Sequence, residues 1–279
     1  MHGSTQTAAD FAAGTELNVL ADRIGAYVLY PEQSPLKNHL RSWNWFRSEN
    51  QTRDGEVAAI LDLVESVSAG HPIDRSRIFV VGISSGAAMA AILAEQAPDV
   101  FAGAGIVAGV PLHVSHNVSS ALAAMRGETD APSLTRPAGK RYGRMRVTIW
   151  TGTEDTVVAP DNAWALARQF CELFNLDPAR SETQHQEGAR IERWRDALGR
   201  VRIELRELEG IGHAWSGGSD RGSYTQPGPS ASIEILKFFF PDAAREIEGK
   251  PPLTRVVRER IAAIARSLKA RLGVTRDSA

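Results

Sequence analysis

The chain has 279 residues, 43% of them hydrophobic, with a formal net charge of −1 and a single cysteine. That size and composition suit one α/β domain with a large core. They exclude the strong basic excess of a nucleic-acid binder, a transmembrane helix (no run of about 18 apolar residues exists) and an internal disulfide. Residues 7–23 carry Phe11, Leu17 and Leu20 at helical spacing, Ile24 continues the pattern, and Gly25 stops that helix. Ala26-Tyr27-Val28-Leu29-Tyr30 reads as a short buried strand ended by Pro31. A Trp- and Asn-rich loop precedes a helix over 55–67, then a strand over 77–82 and a helix of small residues over 86–96. Further strands are expected at 104–107 and 147–150, and a helix at 160–174 that holds the lone Cys171 as a buried structural thiol. From 182 to 209 the apolar positions alternate with polar ones about Leu198-Gly199, as in a hairpin or edge strand with one wet face. A helix follows at 230–240.

Alternating strands and helices of this kind predict a mostly parallel sheet in a three-layer α/β/α fold. The catalytic domain is assigned to residues 1–241 and a charged, Pro-containing linker to 242–253. Residues 254–272 are assigned to an amphipathic helical tail with Val257, Ile261, Ile264, Leu268 and Leu272 as its stripe. The tail's other face is basic (Arg255, Arg258, Arg266, Lys269, Arg271). It reads first as a solvated face over a docked stripe, and second as a contact for an acidic surface or membrane headgroup.

Gly82-Ile83-Ser84-Ser85-Gly86 matches G-x-S-x-G between an apolar strand and a helix of small residues. That is the strand–turn–helix setting of the nucleophile elbow in α/β-hydrolases. A serine hydroxyl needs a base to take its proton, and the base needs an orienting acid, in the chain order Ser, acid, His. Asp155 leaves the strand ending Trp150-Thr151-Gly152 and is the expected acid, with Glu154 as the alternative. Asp161 reads as a first-turn helix carboxylate. His213, in Gly210-Ile211-Gly212-His213-Ala214-Trp215, is the expected general base. His39, His71, His113, His116 and His185 read as ordinary surface residues. The oxyanion of an acyl-transfer intermediate needs two backbone N–H donors. Ser85, after the nucleophile, supplies one, and His2-Gly3-Ser4 is the candidate for the other. No Cys/His cluster has metal-ligand spacing, and no cofactor is called for.

Together, His2-Gly3-Ser4-Thr5-Gln6, Tyr30-Pro31-Glu32-Gln33, Trp43-Asn44-Trp45-Phe46, residues 82–89, residues 152–160, Gly212-His213-Ala214-Trp215-Ser216-Gly217-Gly218 and Pro227-Gly228-Pro229 resemble the polyhydroxybutyrate-depolymerase family of esterases. The resemblance implies ester hydrolysis on short-chain hydroxyalkanoate polyesters or oligomers, with feruloyl or acetylxylan esters as the alternative. It implies Ser84, Asp155 and His213 as the triad and the Ser4 and Ser85 amides as the oxyanion hole. Trp43, Trp45 and Trp215 are candidates for substrate binding, or else anchor their loops. Members of the family carry cysteines where this chain has Ser4 and Ser42, and a disulfide between them is implied there and not here. The resemblance also implies strands upstream of residue 1, so the N-terminal part of the sheet is expected to be truncated, with a gap beside the nucleophile strand. An inactive remnant is the expectation from another class. The family implies an extracellular protein. Met1-His2-Gly3-Ser4 lacks the charged region and apolar run of a signal peptide, which points to the cytoplasm instead. The expected partner is a small ester or polyester oligomer, not nucleic acid or a membrane.

Overall fold

A computed structural model of the chain describes residues 1–136, 139, 142–186 and 188–249. The tail expected over 254–272 lies outside the described residues.

Among the described residues six strands form the main sheet, in the order β1 (Phe79–Ile83), β2 (Gly103–Val107), β3 (Arg146–Gly152), β6 (Val201–Leu208), β5 (Ala189–Arg195) and β4 (Glu182–Gln186). The first four are parallel, and β5 and β4 run antiparallel to their neighbours. On one face pack α3 (Gly55–Gly70), α4 (Ser85–Gln96), α5 (Val118–Met125) and α6 (Asp161–Phe174), around Val57, Leu93, Ile149, Leu166, Phe170 and Leu205. On the other, α1 (Ala8–Thr15) and α7 (Ala231–Phe239) enclose Phe11, Trp150, Leu208, Ile235 and Phe239, and α2 (Leu17–Ile24) packs on α7 through Leu17, Leu20 and Leu236. This is the three-layer α/β/α arrangement. The strands β1, β2 and β3 are short and apolar because both their faces are covered. Cys171 on α6 is fully buried, and burial pushes its thiol up to about 12.

Five expectations need correction. The first helix is two, because Glu16 adopts a left-handed conformation (φ 53°) and caps α1 by donating its N–H to Ala12. The buried strand expected at 26–30 is not formed, and Tyr27 is 57% exposed. A strand needs a neighbour to ladder with, and none stands within reach of this segment among the described residues. Between it and β1 lies a cavity of about 880 Å³, lined by Ile24, Tyr27, Leu29, Phe79, Val81 and Phe240. The outer edge of β1 is met there by Met1, whose N–H donates to Val81 O and whose carbonyl accepts from Ile83 N at 3.2 Å.

The alternating residues of β5 and β6 do form a hairpin, but the polar face of β6 is dry. Glu204 and Arg206 are 3% and 6% exposed. Arg206 Nε donates to Glu204 Oε1 (2.8 Å) and its Nη2 to Glu234 Oε2 of α7 (3.0 Å), while the guanidinium lies 4.9 Å over the Trp150 ring. Arg193 of β5 closes the group on Glu204 Oε2 at 2.7 Å. Paired charges replace apolar residues under α7. The linker expected at 242–253 begins as helix: α8 (Ala244–Ile247) docks on α2 and α7 through fully buried Ile247, and Arg23 donates to the Ile247 carbonyl at 2.7 Å. Lastly, His113 is tied into the core rather than free on the surface, with Nε2 2.9 Å from buried Glu95 and Nδ1 3.1 Å from Gln51.

Candidate active site

Ser84 stands between β1 and α4 with φ 56° and ψ −122°, a conformation that L-residues rarely hold and that costs about 1–3 kcal/mol. Its N–H donates to Val107 O of β2 at 2.9 Å, and its carbonyl accepts from Ala88 at 3.0 Å, so strand and helix grip the turn from both sides. The flanking glycines make this fit possible. A Cβ on Gly82 would strike Gly86 O, and one on Gly86 would strike the carbonyls of Met1 and His2. Ser84 is thereby presented at the C-terminal edge of the parallel strands. The next residue, Ser85, opens α4, where N–H groups have no partner within the helix and the helix dipole favours negative charge.

Residues 2–6 lie against this turn. A Cβ on Gly3 would stand 3.4 Å from Ser84 Cβ, and the Ser4 hydroxyl donates to the Ser85 hydroxyl at 3.3 Å. The structure therefore brings together the two residues expected to supply the oxyanion donors. The loop is pinned throughout. Gly3 N–H donates to Gln6 Oε1 (2.8 Å), His2 Nδ1 bonds Gly3 O (2.8 Å), and His2 Nε2 accepts from Gln33 N–H (3.0 Å). That pattern fits a neutral imidazole with its proton on Nδ1, and burial holds its pKa below the ordinary histidine value.

Asp155 follows β3 in a tight turn. One carboxylate oxygen accepts the N–H groups of Val157 (2.9 Å) and Val158 (2.8 Å), and the other meets His213 Nδ1 at 2.8 Å. The Asp155 side chain is fully buried and that of His213 is 11% exposed. With Nδ1 given to the carboxylate, Nε2 is left as the basic nitrogen. Glu154, the alternative acid, is exposed, and its backbone N–H supports Ile211 O instead. Asp161 opens α6, as a first-turn carboxylate. No hydrogen bond joins Ser84 to His213 among the described residues, though Ile83 and Ile211 beside them share one buried apolar cluster. Such contacts tighten when substrate enters.

The three tryptophans proposed to bind substrate are core residues, at 4% (Trp43), 6% (Trp45) and 1% (Trp215) exposure. Trp43 Nε1 donates to His2 O, and Trp215 Nε1 to Ser232 Oγ, with the Trp215 ring edge-on to Phe11. Trp43 and Trp215 anchor the loops that carry Ser4 and His213, while the Trp45 ring packs edge-on against Phe46. Their position beside motif residues in the sequence gives no sign of which way the ring points. Sequence reasoning gave Gln6 no role beyond its place in the His2–Gln6 motif and missed Gln226, although their side chains hold the loops before Ser4 and His213. Gln226 stands in no motif by which to find it. Among the described residues, no group of three His, Cys, Asp or Glu side chains is placed to hold a metal, and no helix is long and apolar enough to cross a membrane.

Comparison with known proteins gives a consistent result. The family model described as Esterase PHB depolymerase matches residues 1–197. Poly(3-hydroxyalkanoate) depolymerase C of Paucimonas lemoignei is 32% identical over 240 residues, 83% of this chain and 56% of that protein. Poly(3-hydroxybutyrate) depolymerase of Ralstonia pickettii is 30% identical over 239 residues, 78% of this chain and 48% of that protein. The chain thus spans about half the length of these two relatives. Feruloyl esterase B of Thermothelomyces thermophilus is 26% identical over 229 residues, 76% of each. Among solved structures, the acetyl xylan esterase from Aspergillus awamori superposes with a TM-score of 0.70 at 21% identity, covering 85% of this chain and 86% of that one, which establishes a common fold.

Proposed function

The chain belongs to the PHB-depolymerase family of esterases, and on that premise we propose that it hydrolyses carboxylic esters through an acyl-enzyme on Ser84. The hydroxyl of Ser84 attacks the ester carbonyl while His213 Nε2 takes its proton. The Ser4 and Ser85 N–H groups receive the oxyanion, and His213 then protonates the departing alkoxide. Water, deprotonated by the same nitrogen, attacks the acyl-enzyme, releasing the acid and restoring Ser84. Asp155 fixes the imidazole tautomer and stabilises the imidazolium. These steps call on no cofactor. The observation that carries this reading is the 2.8 Å Asp155–His213 bond, made by a buried carboxylate whose second oxygen is pinned by two backbone N–H groups.

The proposed substrates are short-chain hydroxyalkanoate oligomers, supported by the two depolymerases among the relatives. A second reading, acetyl or feruloyl esters of plant polysaccharides, is supported by the acetyl xylan esterase that shares the fold and by the feruloyl esterase matched over three quarters of its length. The test offers a 3-hydroxybutyrate trimer, acetylated xylo-oligosaccharide and methyl ferulate to the purified chain and to Ser84→Ala. Fastest cleavage of the trimer is expected, lost by a factor of about 10⁴ or more in the variant. Faster cleavage of either plant ester would install the second reading. A folded chain inert to all three would identify the inactive remnant.

A further inference from the structure

Two short segments converge on the histidine loop. Gly152 lacks a Cβ that would collide with Ile211 O, Glu154 N–H donates to that same carbonyl at 3.0 Å, and Thr153 Oγ1 accepts from Gly210 N–H at 3.0 Å. These contacts hold the loop from the side of the acid. From the opposite side comes β8 (Thr225–Gln226), paired in parallel with β7 (Trp215–Ser216). The carboxamide of Gln226 there makes two bonds. Its Oε1 accepts the N–H of Gly212 at 3.0 Å, and its Nε2 donates to Gly210 O at 2.9 Å. The two partners bracket Ile211, and Gly212 immediately precedes His213. The bonds need an acceptor and a donor on one planar group, which among similar side chains only a primary amide or a protonated carboxyl provides.

The residues just before Gln226 reach the other catalytic loop. Tyr224 has φ 56°, a left-handed conformation held because its carbonyl accepts Trp215 N–H at 2.7 Å and its hydroxyl meets Thr5 Oγ1 at 2.9 Å. Gln6, which accepts Gly3 N–H, donates through Nε2 to Ser223 O at 3.1 Å. One strap, residues 223–226, therefore touches the neighbours of Ser4 at its start and the neighbour of His213 at its end.

We propose that Gln226 is a positioning residue for the general base: its carboxamide, carried on the strap that also contacts the oxyanion loop, sets where His213 stands relative to Ser84 and the oxyanion donors. The proposal rests on the esterase reading above. Displacement of a catalytic group by about 1 Å lowers turnover by up to about 10²-fold. Gln226→Met keeps the length and volume and removes both bonds, so kcat is expected to fall about 10- to 100-fold with KM within about twofold of the parent. Gln226→Glu gives a pH signature. Protonated, the introduced carboxyl keeps both bonds. Ionised, it presents an oxygen to Gly210 O. The ratio of its kcat/KM to that of the unaltered protein should rise towards one as pH falls and drop as pH rises, and the comparison at each pH removes the pH effects common to both proteins.

The experiment measures both variants on p-nitrophenyl butyrate, together with the low-field proton resonance of the His213 Nδ1–H···Asp155 bond. That resonance is expected in the parent and in Ser84→Ala, and broadened by exchange in Gln226→Met. Parent-like kcat and an unchanged resonance in Gln226→Met, or a flat pH ratio for Gln226→Glu, would overturn the role of Gln226. Equal hydrolysis by the parent and Ser84→Ala would instead overturn the esterase mechanism, while the resonance still decides Gln226.

Discussion

The strand that leads to Ser84, the proposed nucleophile, and the strand that leads to His213, the proposed base, are built in opposite ways. β6, which leads to His213, is laddered on both sides, to β3 and to β5, and its polar face is locked to α7 through Arg206, Glu204 and Glu234. β1, which leads to Ser84, is laddered to β2, while its outer edge meets Met1 and then borders the cavity of about 880 Å³. Ser84 is nonetheless held in a strained turn. Its placement comes from backbone-to-backbone packing, Gly82 against Gly86 and Gly86 against Met1 and His2, rather than from a sheet on both sides. Position at a sheet edge can thus be secured either by paired strands and charges or by close approach of chains at glycine. The two means fail differently when perturbed.

The larger effect is expected on the base side. Arg206→Met leaves buried Glu204 and half-buried Glu234 without their shared partner. Although Arg193 and Lys237 remain beside them, the loss should be about 3 kcal/mol in urea unfolding. Turnover per folded molecule should change little, because the network lies below the histidine loop. Parental stability in this variant would mean that the ladders alone hold β6, and the contrast between the two strands would narrow.

A smaller effect is expected on the nucleophile side, and it depends on pH. Burial depresses the His2 pKa in the folded protein, and its Nε2 accepts a bond from Gln33 that protonation would abolish. Its contribution is therefore complete above the ordinary histidine pKa and is lost as pH falls through the lowered folded value. The urea midpoint of the parent should fall more steeply between pH 7 and pH 5 than that of His2→Gln, which has no such titration. Identical slopes would show that the loop next to Ser4 is insensitive to this bond.

Much of the site was legible because its signals are local. Gly82-Ile83-Ser84-Ser85-Gly86 between an apolar strand and an alanine-rich helix admits few conformations, and the Asp155 turn and the glycine-flanked His213 each follow a recognisable strand. What escaped depends on partners distant in sequence. Ala26 to Tyr30 has strand composition, yet among the described residues no strand pairs with it. Alternation in β6 reads as a wet face, yet α7 covers it with a counter-charge. Trp43 and Trp215 look alike in either role until their N–H partners are known, Trp45 until its burial is, and the Gln226 carboxamide is brought to Gly210 and Gly212 by the fold alone. The break at Glu16 falls on a residue with no intrinsic preference for the left-handed conformation it adopts.

The central claim is that Ser84 is a nucleophile activated by His213. It is tested most directly by treating the protein with diethyl p-nitrophenyl phosphate and locating the adduct by peptide mass. A single diethylphosphoryl group on Ser84 is expected, with one equivalent of p-nitrophenol released, no labelling in Ser84→Ala and far slower labelling in His213→Ala. Label on another residue, or an undiminished rate in His213→Ala, would contradict it.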